Sequence, residues 1–257
     1  MQNNNDILLD LAKNTAVSAG AMLPNSESKE KKFVFDKSNT KEVKAEADLL
    51  VESFIINKLR SSGIPILSEE RGFLAGNASE CRRWIIDPID GTFNYVKGLG
   101  ACAVSIALWE SNTPIFGVIF SIDTGKIYWG GRELGAFCDD VPIFVSKVTD
   151  MAMASVCTGF PVRLEMSLKN TSDEFWSNIK GFSKVRMIGC ASMSLINVAK
   201  ASSELYFENQ IMIWDIAAGL AIVEGAGGVF SLVKGKSPNS YNVVASNNSV
   251  VSELILS

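Results

Sequence analysis

Carboxylates follow three short apolar runs in the sequence, and this repeated arrangement could do chemistry. The run "ILSEE" ends in Glu69 and Glu70, "WIIDPID" contains Asp87 and Asp90, and "IMIWD" ends in Asp215. Strand ends bring side chains to the rim of a core, where binding sites tend to form. Carboxylates gathered there would repel one another and resist desolvation unless a cation lies between them. A hard divalent cation such as Mg²⁺ prefers oxygen ligands and would meet that need.

A Gly-Thr pair comes directly after the two aspartates of the central run. Gly91 would let the backbone approach a ligand closely, and a helix or turn starting at Thr92 would point N–H groups outward. Such groups attract an anion, so metal-binding carboxylates beside them describe a phosphate site. Each acid alone is more simply a turn former or a helix cap, but the set together favours a metal and phosphate site.

The composition excludes several other kinds of site. The 257 residues include no histidine, which rules out Ser-His-Asp and Cys-His catalysis, histidine-ligated zinc and a phosphohistidine intermediate. A net charge of −4 without long basic runs argues against binding to nucleic acid or to a membrane surface. The five cysteines stand singly, no apolar run is long enough for a membrane span, and no signal-peptide pattern is present. We therefore expect a reduced, cytoplasmic protein.

Helical and strand-like segments that must position these residues alternate along the chain. Helical spacing predicts helices at 6–22, 43–60, 165–180, 191–200 and 214–228. Strand patterns occur at 63–70, 82–90, 101–109, 114–122 and 126–130, and again within "ASVCTGF", "KVRMIGCAS", "SELYFEN" and "NVVASN". Residues 25–41 read as a loop or hairpin. The pattern predicts an α+β or layered αβα fold in one domain, 1–257, with an N-terminal α+β half (1–150) and a C-terminal α/β half (151–257).

Two separated motifs resemble the inositol monophosphatase family. These are "WIIDPIDGTFN" at 84–94 and "WDIAAGLAIVEGAGG" at 214–228, and "LSEERG", "TGFPVR" and "VVASNN" also match. The resemblance extends over nearly the whole chain. It implies an α-β-α-β-α layered sandwich, a homodimer, and a lithium-sensitive phosphatase that uses two or three Mg²⁺ ions per active site.

The resemblance also implies a set of metal ligands, namely Glu69, Glu70, Asp87, the backbone carbonyl of Ile89, Asp90 and Asp215. Glu69 and Asp87 would be shared between metals, and Asp90 and Asp215 would hold the second metal. Glu70 would bind a further metal.

Substrate and catalytic residues follow from the same resemblance. Those expected to bind substrate or phosphate are Asp90, Gly91, Thr92, Gly189, Cys190, Ala191 and Glu208. Catalysis would fall to Glu69, Thr92 and Asp48. The implied reaction is in-line attack of an activated water on phosphorus, with Thr92 and Asp48 helping to orient and deprotonate that water.

The sequence departs from the family pattern at a few positions. Ser68 stands where a glycine is usual, and Glu42 and Ala45 replace an aspartate and a threonine. The last two changes lie where the loop shapes the environment of a third metal. Lys37 matches a family lysine near the site, although a solvated loop lysine explains it equally well.

The substrate is less strongly indicated than the chemistry. Glu208 would accept hydrogen bonds from vicinal hydroxyls, which favours inositol monophosphate, whereas Phe93 and Asn94 argue against a bisphosphate nucleotide. Fructose-1,6-bisphosphate and other sugar phosphates stay open as alternatives. A non-catalytic sugar-phosphate-binding regulator is the alternative of another class, and the retained acids weigh against it.

Overall fold

Helices and strands cover most of the residues that the computed structural model describes, which are 4–23, 33–35, 43–77, 81–160 and 169–249. The helices are α1 (Asn4–Ala21), α2 (Glu46–Leu59), α3 (Thr92–Lys97), α4 (Lys169–Ile179), α5 (Ala191–Ala199) and α6 (Ile213–Gly225). The strands of the first half are β1 (Phe33–Phe35), β2 (Val43–Ala45), β3 (Ile66–Ser68), β4 (Gly72–Leu74), β5 (Arg82–Asp90), β6 (Ala103–Glu110), β7 (Thr113–Ser121), β8 (Ile127–Gly131), β9 (Gly135–Cys138) and β10 (Val141–Pro142). Those of the second half are β11 (Ser155–Thr158), β12 (Lys184–Arg186), β13 (Leu205–Met212), β14 (Val229–Lys234) and β15 (Ser240–Ser246).

Two large sheets organise the chain. The first has eight strands in the order β10-β9-β8-β7-β6-β5-β3-β4, and the second has five in the order β12-β11-β13-β15-β14. A separate antiparallel pair joins β1 to β2. Pairing is antiparallel in the first sheet except between β3 and β5, and β11 pairs in parallel with both of its neighbours in the second.

Helices cover the sheets in layers. The apolar faces of α1 and α2 pack on one side of the eight-stranded sheet, around buried residues such as Ile55 and Trp84. The largely buried α6 and its neighbour α5 fill the space between the two sheets. Phe175 and Ile179 of α4 pack on the outer face of the five-stranded sheet. This is the α-β-α-β-α sandwich that the sequence resemblance implies, and burial of these apolar faces stabilises it.

The helix predicted at 43–60 begins later than expected. Val43–Ala45 forms β2 and pairs with Phe33–Phe35, so the helical prediction was wrong over these three residues. Antiparallel pairing with the short run Phe33–Phe35, 8 to 12 positions earlier, overrides local helical propensity there. Acidic Glu46 and Asp48 then occupy the first turn of α2, where the helix dipole favours negative charge. The rest of the loop or hairpin predicted at 25–41 lies outside the described residues.

Parallel pairing of β3 and β5 brings two of the acidic runs together. Ser68 pairs with Ile86, and both strands run toward the same edge of the sheet. The pairing of β5 with β6 becomes irregular between Asp87 and Asp90. Pro88 lies within this interval and has no N–H to donate to the ladder. The end of β5 therefore turns its carboxylates toward the space next to Glu69.

None of the helices within the described ranges combines the length and the apolar character that crossing a membrane requires.

Candidate metal and phosphate site

Three aspartates converge at the end of β5 and the start of α6. Asp87, Asp90 and Asp215 each offer a carboxylate oxygen, and these oxygens lie within 4.8 Å of one another. Asp87 and Asp90 are buried, whereas Asp215 is half-buried in the first turn of α6. Residues more than 120 positions apart thus share one small volume, because α6 enters between the sheets at this edge.

Backbone N–H groups fix the orientation of each aspartate. The donors are Ile89 to Oδ1 of Asp87 at 3.0 Å, Ser192 to Oδ2 of Asp90 at 2.5 Å, and Met212 to Oδ2 of Asp215 at 3.3 Å. Each carboxylate keeps further acceptor capacity, since two oxygens offer about four lone-pair sites. The chain therefore holds the three groups in place and leaves oxygen lone pairs available to a cation.

Glu69 joins the aspartates from the end of β3, and Glu70 does not line their cavity. The N–H of Glu69 donates to the carbonyl of Ile86 at 3.3 Å, which extends the β3–β5 pairing by one residue. Its carboxylate lies close enough to that of Asp87 for its charge to raise the pKa of Asp87. Glu69 lines the same cavity as the aspartates, whereas the half-buried Glu70 is not among the described residues that line it.

The crowded carboxylates have raised pKa values. Burial, followed by the charge of Glu69, raises the pKa of Asp87 well above its ordinary range. Burial, followed by the charge of Asp90, does the same to the pKa of Asp215. Burial also raises the pKa of Asp90, although hydrogen bonds from Ser192 oppose the shift. A cation among them would reverse these shifts. The donors are all oxygens and carry negative charge, which fits a hard divalent cation such as Mg²⁺.

Gly91 and Thr92 form the entry to α3 beside the aspartates. Gly91 has φ of +82°, and a Cβ on it would lie 3.0 Å from the carbonyl oxygen of Ala101. Both the left-handed backbone and the close approach therefore require glycine. The hydroxyl of Thr92 lies 2.9 Å from the carbonyl oxygen of Ile89 and 3.4 Å from Oδ1 of Asp48. Asp48 is itself buried in the first turn of α2.

The loop before α5 forms another wall of the cavity. Gly189, Cys190 and Ala191 all line it, and Cys190 is the N-cap of α5. The side-chain amide of Asn94 in α3 donates to the carbonyl of Ile188 at 2.7 Å, which ties this loop to α3. Burial and the nearby Asp90 raise the pKa of the Cys190 thiol well above its usual value. Cys190 therefore acts as a wall of the cavity and is not a reactive thiolate.

Glu208 faces the cavity from β13. Its carboxylate accepts a hydrogen bond from the hydroxyl of Tyr206 at 2.9 Å. Burial raises the pKa of Glu208 to about 7, the Tyr206 hydrogen bond lowers it, and the charge of Asp90 raises it again. A carboxylate of this kind can accept a hydrogen bond from a hydroxyl of a bound molecule.

Several residues that surround the cavity were not among the predicted site residues. The cavity has a volume of about 280 Å³ and is also lined by Phe93, Thr158 and Phe160. Thr158 is buried, and its hydroxyl has no hydrogen-bond partner among the described residues. The contribution of Ser192 comes from its backbone N–H, which no sequence motif marks. Asn94 bears on the choice of substrate in the sequence analysis, whereas the structure shows that it also ties α3 to the 188–190 loop.

Three further positions from the sequence analysis are Lys37, Glu42 and Ala45. Lys37 and Glu42 lie outside the described residues. Ala45 lies at the end of β2, directly before α2.

Comparison with known proteins places these features in a family context. A model of the inositol monophosphatase family matches residues 4–257. A fructose-1,6-bisphosphatase/inositol-1-monophosphatase from Aquifex aeolicus is 31% identical over 244 residues, which cover 94% of this chain and 91% of that protein. A Nus factor SuhB from Pasteurella multocida is 30% identical over 252 residues, which cover 96% of this chain and 94% of that protein. The solved structure of an inositol monophosphatase from Anabaena has a TM-score of 0.80 and 29% identity, and the match covers 96% of this chain and 93% of that one.

Proposed function

This chain belongs to the inositol monophosphatase family, and on that premise we propose that its cavity binds Mg²⁺ and hydrolyses a polyol or sugar phosphate, with inositol monophosphate as the first candidate. Members of the family are phosphoric monoester hydrolases, so membership gives the reaction class. One observation supports the cavity as the site of this reaction. Asp87, Asp90 and Asp215 converge within 4.8 Å directly beside the Gly91–Thr92 entry to α3.

The metal would be held by the three aspartates together with Glu69 and the carbonyl of Ile89, all of which line the cavity. Bound Mg²⁺ neutralises phosphoryl charge and lowers the pKa of water, which supplies a nucleophile near neutral pH. We expect two or three ions, as the family resemblance implies. Glu70 as a ligand of a further ion stays a prediction, because it is not among the described cavity-lining residues.

The phosphate would lie against the backbone N–H groups of Gly91 and Thr92. The first N–H groups of a helix lack partners within that helix and carry partial positive charge, so they suit a phosphate. Gly91 has no side chain to cover them. Asp90 precedes the pair and keeps the metal ligands adjacent to the phosphate oxygens.

Proton removal from the attacking water is assigned to Thr92 and Asp48. The Thr92 hydroxyl lies 3.4 Å from Oδ1 of Asp48, so its oxygen can take a proton from water as its own proton passes to the Asp48 carboxylate. The carboxylate of Asp48 is buried, so it can hold that hydroxyl in one orientation. No covalent phospho-enzyme is needed, in keeping with a chain that has no histidine.

Substrate recognition is assigned to Glu208 and to the loop from Gly189 to Ala191. Glu208 accepts from Tyr206 and has acceptor capacity left for a ring hydroxyl. This arrangement favours a polyol over a simple alkyl phosphate. Fructose-1,6-bisphosphate is the second candidate substrate, since the similar Aquifex aeolicus protein is named for both activities.

A non-catalytic regulator of the same fold is the competing function of a different class. The similar Pasteurella multocida protein is named a Nus factor, which is the observation that favours it. The clustered aspartates favour catalysis, because unused buried carboxylates would only destabilise the fold.

The expected assembly and compartment come from the sequence. We propose a homodimer, because the family resemblance implies one. We propose a reducing, cytoplasmic environment, because the structure describes all five cysteines and all are thiols.

Phosphate release from a panel of monoesters tests this function. The panel contains inositol 1-phosphate, fructose-1,6-bisphosphate, glucose 6-phosphate and glycerol 2-phosphate, each with Mg²⁺ and with EDTA. We expect release that requires Mg²⁺ and is fastest with inositol 1-phosphate. Release at background rates from every ester in Mg²⁺, by folded protein, would support the regulator instead.

A further inference from the structure

A buried glutamate on α2 lies beneath the turn that carries Glu69 and Glu70. Glu52 is completely buried, and its carboxylate accepts three hydrogen bonds from neighbouring residues. One comes from the hydroxyl of Ser68, one from the backbone N–H of Arg71 at 3.0 Å, and one from Nε of Arg71 at 3.0 Å. A charge buried this deeply is tolerated only when such partners surround it.

The donors to Glu52 flank the two glutamates in the chain. Ser68 is the last residue of β3, and Arg71 is the residue before β4. Glu52 therefore holds both ends of the segment that presents Glu69 to the cavity. Ser68 is also the position where the sequence departs from the usual family glycine, and its side chain supplies one of the three bonds. In this chain the departure adds a donor at the start of the turn.

One face of α2 contacts both the Thr92 hydroxyl and the turn that carries Glu69. Asp48 and Glu52 are four residues apart on the helix, so their side chains lie one above the other. Both are buried. Asp48 lies within reach of the Thr92 hydroxyl, and Glu52 holds the turn of Glu69. A single rigid helix thus places the catalytic hydroxyl and one metal-facing carboxylate relative to each other.

We infer that Glu52 is a positioning residue that sets the affinity of the site for Mg²⁺ by fixing the turn around Glu69. This rests on the proposed function, in which Glu69 is a metal ligand. Outer partners that orient metal ligands typically contribute about 10- to 100-fold to metal affinity. Glu52 is not among the described residues that line the cavity, so we expect its removal to affect the metal ahead of the substrate.

The test compares Glu52→Gln with a matched control, Glu204→Gln. Glu204 is also buried, and it accepts the backbone N–H of Ser155 at 2.6 Å and the hydroxyl of the same residue at 3.3 Å. It is not among the described residues that line the cavity. Ser68→Ala and Ser203→Ala are a second pair of test and control variants with smaller changes. Ser203 is buried, and its hydroxyl donates to the carbonyl of Ser155, the residue that also bonds Glu204.

Two readouts are followed in a Mg²⁺ titration, the thermal unfolding midpoint and the rate of phosphate release. For Glu52→Gln we expect the Mg²⁺ concentration at half-maximal phosphate release to rise about 10- to 100-fold. The rise of the unfolding midpoint with Mg²⁺ should begin at concentrations higher by the same factor. The KM for the phosphate ester should change little, and kcat at saturating Mg²⁺ should stay within about threefold of wild type, since the ligands themselves are retained. Glu204→Gln should lower the metal-free midpoint by a similar amount and leave the Mg²⁺ half-saturation unchanged.

An equal Mg²⁺ half-saturation for Glu52→Gln and Glu204→Gln overturns the inference. If Glu52→Gln does not fold, the comparison of Ser68→Ala with Ser203→Ala decides in the same way. For Ser68→Ala alone we expect a rise of about threefold or more, as for loss of one ordinary hydrogen bond. A wild-type protein that shows no Mg²⁺ response in either readout contradicts the proposed function itself. The two failures are therefore distinguishable.

Discussion

The hydroxyl of Thr92, the first residue of α3, lies 3.4 Å from the carboxylate of Asp48, a buried residue of α2. The two residues are 44 positions apart and sit on different helices. Their contact brings a potential proton acceptor to the edge of the aspartate cluster. The reaction assigned to the cavity depends on this pair for removing a proton from water.

Removal of the Thr92 hydroxyl tests the pair directly. Positioned acid–base groups contribute about 10²- to 10⁴-fold, so Thr92→Val should lower kcat about 100-fold or more. Thr92→Ser keeps a hydroxyl and should stay within about tenfold of wild type on the same grounds. The measurement is phosphate release at saturating Mg²⁺ and substrate. Equal losses in the two variants would show that the hydroxyl plays no part.

The stability of the metal-free protein should fall as pH rises. Burial and mutual repulsion raise the folded-state pKa values of Asp87 and Asp215 well above the unfolded value of about 4. The folded state therefore binds more protons than the unfolded state over this interval, and stability is lost as pH increases through it. In EDTA, we expect the unfolding midpoint to be higher near pH 5.5 than near pH 7.5.

Mg²⁺ and a matched variant supply the controls for this pH effect. A bound cation offsets the repulsion, so Mg²⁺ should raise the unfolding midpoint more at pH 7.5 than at pH 5.5. Asp215→Asn removes one of the repelling charges and should flatten the metal-free profile. A metal-free midpoint that rises with pH across this range would contradict the crowding of these carboxylates.

Gly91→Ala separates phosphate binding from backbone strain. Gly91 has φ of +82° and a carbonyl oxygen 3.0 Å from the position of a Cβ, whereas Gly125 has φ of +67° and nothing within 4 Å. Both alanine variants should lose about 1–3 kcal/mol of stability from the left-handed backbone. In urea unfolding, Gly91→Ala should lose the larger part of that range because of the added contact.

Phosphate inhibition distinguishes the two glycines. With Gly91→Ala we expect inhibition by inorganic phosphate to weaken about tenfold, the effect of about 1.4 kcal/mol, because the amides beside it are displaced. Gly125→Ala should bind phosphate as the wild type does. Unchanged phosphate inhibition in Gly91→Ala would place the phosphate elsewhere.

Glu208→Gln should alter the recognition of polyols and leave simple esters unaffected. A hydrogen bond from a substrate hydroxyl to a charged acceptor contributes about 1.5–3 kcal/mol, so KM for inositol 1-phosphate should rise about tenfold or more. KM for p-nitrophenyl phosphate, which has no hydroxyls, serves as the internal control and should not change. A parallel rise for both esters would assign Glu208 to structure alone.

The same carboxyl predicts a pH dependence of substrate affinity. The pKa of Glu208 is raised to about 7, so the residue gains its charge as pH rises through neutrality. KM for inositol 1-phosphate should therefore decrease between about pH 6 and pH 8 in the wild type, and this decrease should be smaller in Glu208→Gln. A KM that increases with pH in the wild type and in the variant alike would show that Glu208 does not act as a charged acceptor for the substrate.

Strongly patterned segments made much of the fold predictable. The apolar run at 82–90 forms β5 with those same bounds, and the segment with Asp215 begins α6 as its periodicity indicates. Their acids meet because strand ends and helix starts gather at one edge, which is a general property of layered folds. The sequence resemblance supplied the order of the layers, which periodicity alone left open.

Features that depend on strand pairing or on three-dimensional contacts with other segments could not be predicted. Val43–Ala45 reads as the start of a helix until its pairing with Phe33–Phe35 is known. The edge strand Val229–Lys234 is absent from the predicted strands, and its burial does not alternate between the two faces of the sheet. The backbone N–H of Ser192 that holds Asp90, and the buried Glu52, depend on three-dimensional contacts over 102 and 16 to 19 positions. No local pattern encodes such contacts.

The most direct test of the account is phosphate release from inositol 1-phosphate by wild type and Asp90→Asn, with Mg²⁺ and with EDTA. Asp90 belongs to the aspartate cluster and directly precedes Gly91, so in the proposed function its charge serves both metal binding and phosphate binding. We predict a Mg²⁺-dependent rate in the wild type and a loss of about three orders of magnitude in Asp90→Asn, as expected when about 4 kcal/mol of transition-state stabilisation is removed. Its unfolding midpoint in EDTA should be no lower than that of the wild type, since a repelling charge is gone. Mg²⁺-dependent turnover near the wild-type rate in Asp90→Asn would contradict the account.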